Sequence, residues 1–175
     1  MARFFPSTLR SCAVALAVAL AAGAQNNDAG DELQFSSDTL VLDGPTNMMR
    51  ARQPRITQAT LRIAADDALA TGFEFDEAGE FRLTGNVRVD VDTASMQANT
   101  AVFMYANGQL SRGELEGTPV SFSAVDAATQ RKVTGHAGKM SYDNVARTLR
   151  MTGDASVQLD TREVLGCDLI YDFRA

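Results

Sequence analysis

The sequence predicts an all-β protein of antiparallel strands. Three observations carry that expectation. Apolar and polar residues alternate at period two over long stretches, turn signals recur roughly every ten residues, and one strand pattern occurs twice. The copies are Leu83 to Tyr105 (LTGNVRVDVDTASMQANTAVFMY) and Met151 to Phe173 (MTGDASVQLDTREVLGCDLIYDF), which align without a gap at an offset of 68 residues. Thr84 meets Thr152, Gly85 meets Gly153, Val89 meets Val157, Asp92 meets Asp160 and Thr93 meets Thr161. The apolar phase is kept as well: Leu83, Val87, Val89 and Val91 in one copy, Met151, Ala155, Val157 and Leu159 in the other. Each is a strand with one buried face.

The chain opens with an export signal. Arg3 and Arg10 flank a segment with no acid, Cys12 to Ala22 is apolar, and Ala22-Gly23-Ala24 supplies the small residues of a cleavage site, expected after Ala24. The apolar run ends at Gln25, Asn26, Asn27 and Asp28, too early for a span of about 20 residues. Cys12 sits at the front of that run, so no lipoprotein pattern is present. Losing two arginines and no acid takes the net charge from −6 to −8. That balance argues against a nucleic-acid partner and against an anionic membrane surface. One cysteine, Cys167, survives cleavage, which excludes an intramolecular disulfide. It is expected to share the apolar face of Leu165, Leu169, Tyr171 and Phe173 as a small buried hydrophobe.

Residues 25–33 read as a flexible tail and residues 34–175 as one domain. Leu33 and Phe35, then Leu40 and Leu42, alternate up to the turn Asp43-Gly44-Pro45, as a strand pair or one bent strand. Met48 to Pro54, rich in arginine, reads as a solvated edge segment. Residues 56–70 are compatible with a short alanine-rich helix or, by the likeness of Arg62 to Ala70 to Ser95 to Phe103, with a strand; the repeat favours strand. Phe73, Phe75, Phe81, Leu83, Val87, Val89 and Val91 hold one phase around the turn at Asp76 to Glu80. Met96 to Tyr105 returns, and Asn107-Gly108 is the strongest hairpin signal in the chain. Leu110 to Leu115 follows, then a break at Gly117 to Pro119 before Val120, Phe122 and Ala124. Short strands are expected at Val133 to Ala137 and at Met140 to Tyr142, then the second copy from Leu149. Gly85, Gly153 and Gly166 mark bends inside the pattern.

Enzyme signatures are missing. There is no G-x-S-x-G, H-E-x-x-H or phosphate loop, and the single His136 cannot build a multi-histidine metal centre. Asp90 and Asp92 lie on one strand with Arg88, on the face opposite Val87, Val89 and Val91, as a solvated face would. A non-catalytic protein without cofactor or metal is expected. A curved sheet with this apolar face either closes as a dry core or stays open as a groove, and the pattern alone is compatible with both.

Four phrases carry a family resemblance: FSSDTLVLD at Phe35 to Asp43, LTGNVRV at Leu83 to Val89, GHAGKMSYD at Gly135 to Asp143 and LRMTGDASV at Leu149 to Val157. With the closing GCDLIYD, they resemble the OstA-like family, which contains the lipopolysaccharide-transport proteins LptA and LptC and the N-terminal domain of LptD. The leader and the lack of an anchor favour the LptA type. The segment Met48 to Ala70 is longer and more basic than the family pattern implies. The resemblance implies an antiparallel β-jellyroll, open along one side, in the periplasm. It implies lipopolysaccharide as ligand, its lipid A acyl chains held in the interior by Phe75, Phe81, Leu83, Val87, Val89, Phe103, Phe122, Tyr142, Met151, Val157, Leu159 and Leu169. It further implies LptC-like and LptD-like jellyroll domains as partners, and head-to-tail self-association. The edges for these contacts would carry Phe35, Leu40 and Leu42 at one end and Leu165, Tyr171 and Phe173 at the other. An LptC-type adaptor and a secreted carbohydrate-binding sandwich are the alternatives.

Overall fold

The computed structural model describes residues 32–71, 77–125, 130–143, 145–146 and 148–172. The leader, most of the expected tail, Phe73, Phe75 and Phe173 lie outside them. Among the described residues, twelve strands form one antiparallel sheet: β1 (Gln34–Ser36), β2 (Thr39–Asp43), β3 (Met48–Arg52), β4 (Arg55–Gln58), β5 (Leu61–Ala64), β6 (Asp67–Thr71), β7 (Gly79–Val91), β8 (Ala94–Ala106), β9 (Gln109–Val125), β10 (Lys132–Asp143), β11 (Thr148–Leu159) and β12 (Arg162–Asp172).

The pairing is a meander with a fold in it. From β7 to β12 each strand pairs with the next in sequence, but β7 is shared on its other edge: β5 takes Arg88 to Asp90 and β6 takes Glu80 to Thr84. Beyond β5 come β4 and β1, and beyond β6 come β3 and β2. The early strands are therefore three bent strands, β1 with β2, β3 with β4 and β5 with β6, interrupted at Asp38, at Gln53-Pro54 and at Ala65-Asp66. The long strands slip register at the same level: between Thr84 and Val87, between Gln97 and Thr100, between Ala137 and Lys139, and between Thr152 and Ala155. These irregularities line up into a crease that folds the sheet into two facing walls.

Local chemistry makes the crease. Gly85 and Gly153 both have φ +76°, a conformation open to glycine, and each is followed by a positive-φ Asn86 or Asp154. A Cβ on Gly85 would lie 2.5 Å from Oδ2 of Asp66. Freed backbone groups are satisfied across the crease: Gln53 N–H donates to Asp66 O (2.7 Å), Asp66 N–H to Gly85 O (2.9 Å), and Asn86 Nδ2 to Asp66 Oδ2 (2.7 Å). On β8 and β9 the Asn99 carboxamide oxygen accepts from Thr118 N–H at 2.9 Å. Opposite the crease lie two rows of hairpin turns. Asp92-Thr93 and Asp160-Thr161 are the repeated two-residue turns, with Asp92 and Asp160 at positive φ. Asn107-Gly108 has positive φ at both residues, the type I′ geometry that matches strand twist.

Several expectations are corrected. Residues 56–70 are strand, as the repeat favours, but in three pieces, β4, β5 and β6, with Ala65, Ala68 and Ala70 buried. Met48 to Arg52 is not an edge: β2 covers one side of β3 and β6 the other, and Met49 and Ala51 are buried. Val133 to Ala137 and Met140 to Tyr142 are one bulged strand, β10, and the break at Gly117 to Pro119 is a bend within β9. Leu33, at the end of the expected tail, is buried. Cys167 is exposed. The slip in β12 between Gly166 and Asp168 shifts the side-chain phase, so Leu165 faces away from the side that Leu169 shares with Met151.

Candidate functional site: the apolar interior and its mouth

Cross-strand neighbours build the interior as continuous apolar rows. One wall carries Phe35, Ile56, Ile63, Val89, Met96, Phe122, Gly135, Val157 and Val164, each directly opposite the next. On the other, Leu83, Ala101, Leu115, Met140, Met151 and Leu169 form one row, while Phe81, Phe103, Gly113, Tyr142, Leu149 and Tyr171 form the next. Equivalent residues of the sequence repeat share a row: Leu83 with Met151, and Val89 with Val157. The repeat therefore reports one structural level, visited twice.

Glycines on these rows make room for aromatic rings. A Cβ on Gly113 would lie 2.6 Å from Phe103 Cε1 and one on Gly135 would overlap Phe122 Cε1, while at the neighbouring level one on Gly79 would overlap the Tyr105 hydroxyl oxygen. A large side chain laid over a bare cross-strand backbone fills space that two large residues would contest.

Burial changes along the trough. Phe81, Leu83, Val87, Val89, Phe103 and Met151 are at most 4 % exposed. Phe122, Tyr142, Val157 and Leu169 pack on that core but are only partly buried, as is Leu159 at the rim. Phe75 lies outside the described residues. At the N-terminal end the walls touch: Phe35 stacks on Phe81 with ring centroids 5.8 Å apart, and Phe81 lies 4.8 Å from the Tyr105 ring. The Tyr105 hydroxyl donates to Thr71 O at 3.1 Å, and burial pushes its pKa up. Gln58, beside the β4–β5 turn, reaches across the mouth: its Nε2 donates to Gly108 O (2.9 Å), and Leu110 N–H donates to its Oε1 (3.0 Å).

Of the proposed edge residues, Phe35 faces inward, whereas Leu40 (46 % exposed) and Leu42 (54 %) lie on β2 and Leu165 (70 %) and Tyr171 (51 %) on β12. Among the described residues, β1, β2 and β12 end the sheet without pairing to one another. The outer face is charged: Arg88 pairs with Asp90 (2.9 Å) and Lys139 with Glu114 (2.7 Å) and Glu116 (3.2 Å). His136 lines a shallow outer groove of about 480 Å³ with Ser121, Ser156, Gln158 and Glu163, where Ser156 donates to Glu163 at 2.8 Å.

Sequence reasoning missed Ile56, Ile63, Tyr105, Leu115 and Met140 as interior residues, and it missed Gln58. For Ile63 the signal was the likeness of residues 62–70 to the repeat; Gln58 carries none.

These features define an all-antiparallel β-jellyroll whose sheet folds once, does not close, and presents an apolar inner and a charged outer face. A family model described as LptA/(LptD N-terminal domain) LPS transport protein matches residues 69–175, more than half of the chain, and the protein belongs to that family, the OstA-like one. A solved structure is similar: LptH, the LptA homologous periplasmic component of the lipopolysaccharide transport device of Pseudomonas aeruginosa. It is 13 % identical, with 81 % of this chain and 76 % of that chain covered at a TM-score of 0.49. No curated protein matches.

Proposed function

We propose that this protein is a periplasmic, non-catalytic carrier that binds lipopolysaccharide and bridges the inner and outer membranes, shielding the acyl chains in its interior. The leader at residues 1–24 is then removed on export, leaving the jellyroll of residues 34–175. The observation that carries the reading is the open-sided apolar trough, partly exposed at Phe122, Tyr142, Val157, Leu159 and Leu169, in a chain of the LPS-transport family. Each methylene moved from water onto such a surface contributes ~0.8 kcal/mol, so a lipid with several acyl chains has ample drive to enter. Phe81, Leu83, Val87, Val89, Phe103 and Met151 form the buried part of the same apolar face, and Phe75 is proposed to join it. Assembly uses the two ends: unpaired backbone on β2 and β12 accepts a strand from an LptC-like domain, an LptD-like domain or another copy, head to tail.

Photo-crosslinkers at Val89 and Val157, in a functional protein in cells, test the reading. Capture of lipopolysaccharide is expected at Val157; absence of any captured lipid at both positions would refute it.

A further inference from the structure

Gln58 ties the two walls together at one level of the mouth. It closes β4 in one wall, and two of its hydrogen-bond partners, Gly108 O and Leu110 N–H, belong to the β8–β9 hairpin of the other. A donor on one side and an acceptor on the other fix the orientation of the carboxamide. Above the shared buried floor, which includes Leu115, Met140 and Met151, exposure differs between the two ends of the interior. Beside Gln58 and toward the N-terminal end, Ile56, Ile63, Phe81, Phe103 and Tyr105 are sealed, and Phe35 stacks across the gap. Toward β12, Phe122, Val133, Tyr142, Val157 and Leu159 are partly open.

We propose that Gln58 is a latch that confines hydrocarbon to the β9–β12 part of the trough and sets how far a chain penetrates. This rests on the acyl-shielding reading and specifies where that site begins and ends. The physical reason is asymmetric satisfaction. A chain entering at the level of the latch separates Gln58 from Gly108 O and Leu110 N–H, and methylenes offer those part-buried groups no replacement. Toward β12 the partly open rows let a chain cover exposed apolar surface without displacing that bridge. Penetration past the latch therefore requires it to open, and the hydrogen bonds to Gly108 O and from Leu110 N–H lower the open population.

The test uses the full mature chain, a C16 fatty acid carrying a diazirine near its tail, irradiation, and peptide mapping by mass spectrometry. In the wild type, adducts are expected on peptides carrying Phe122, Tyr142, Val157 and Leu159. In Gln58→Ala, adducts on the peptide carrying Phe103 and Tyr105 should rise about tenfold, the population shift that loss of two such bonds produces. Gln58→Glu keeps an acceptor for Leu110 N–H but loses the donor to Gly108 O. It should give an intermediate rise, and it carries the test if the alanine variant does not fold. Equal labelling of both regions in the wild type, or no rise in either variant, would overturn the latch while leaving lipid binding intact. Absence of adducts throughout would instead overturn the acyl-shielding reading, and the latch with it.

Discussion

Replacing Gly113 by alanine should destabilise the protein, although alanine is the better residue for a strand. The backbone term favours the change by roughly 0.5–1 kcal/mol, because glycine loses the most freedom on folding. The packing term opposes it. The added Cβ would lie 2.6 Å from Cε1 and 2.8 Å from Cδ1 of Phe103, where carbon atoms prefer about 3.5–4.0 Å. That ring is 4 % exposed and sits directly opposite Phe81, which is fully buried, so it has little space to retreat into. Overpacking of this kind costs about 1–3 kcal/mol, and the net expectation is a loss of about 1–2 kcal/mol. Equilibrium urea unfolding measures it: with a slope of about 2 kcal/mol/M, the midpoint should fall by about 0.5–1 M at unchanged slope. The double variant Gly113→Ala, Phe103→Leu should recover much of the loss. Gly44→Ala, where a Cβ meets nothing within 4 Å, should stay within about 0.5 kcal/mol of wild type. An unchanged or raised midpoint for Gly113→Ala would refute the claim that Phe103 occupies the space above this glycine.

Other predictions concern the ends and the outer face. Deleting the chain after Asp160 removes β12, most of whose side chains are exposed; it should leave a folded monomer and abolish end-to-end association, and an unchanged size distribution in analytical ultracentrifugation would refute the edge assignment. Asp143 is held below the ordinary carboxylate range by the Ala146 N–H and by Arg112, and Asp168 by Arg150. Because their folded-state values lie below the unfolded value near ~3.9, their contribution is complete above that value and lost as pH falls through the folded values. The urea midpoint should accordingly drop below about pH 4, less steeply in Asp143→Asn and Asp168→Asn; identical profiles would refute the contribution of these pairs.

Long elements with strict alternation were legible: β7, β8 and β11 follow from Leu83 to Val91, Met96 to Tyr105 and Met151 to Leu159, and the turn at Asn107-Gly108 falls where its residue types require, whereas Asp92, expected on the strand beside Asp90, sits in the β7–β8 turn. Two physical effects hid the rest. Alanine at 65, 68 and 70 has high helix propensity, yet these small residues are what the closely facing walls require, and tertiary packing prevailed. A bulge changes which residues face inward without changing composition, which is why Cys167 and Leu165 were placed on the wrong side. The site was legible as an apolar face but not as a closed or open space. Its division depends on Gln58 meeting a hairpin 50 residues away, and no local pattern encodes that.

The crease has a mechanical meaning. Each long strand crosses it, so each builds a rib of both walls, and the depth of the trough is set by where the bend falls and not by how many strands there are. A strand that paired with β12 along its whole length would inherit the same bend and lengthen both walls at once, leaving the cross-section unchanged. A conduit assembled this way keeps its bore across every joint, because the shape is copied from rib to rib by backbone register rather than specified anew by each molecule.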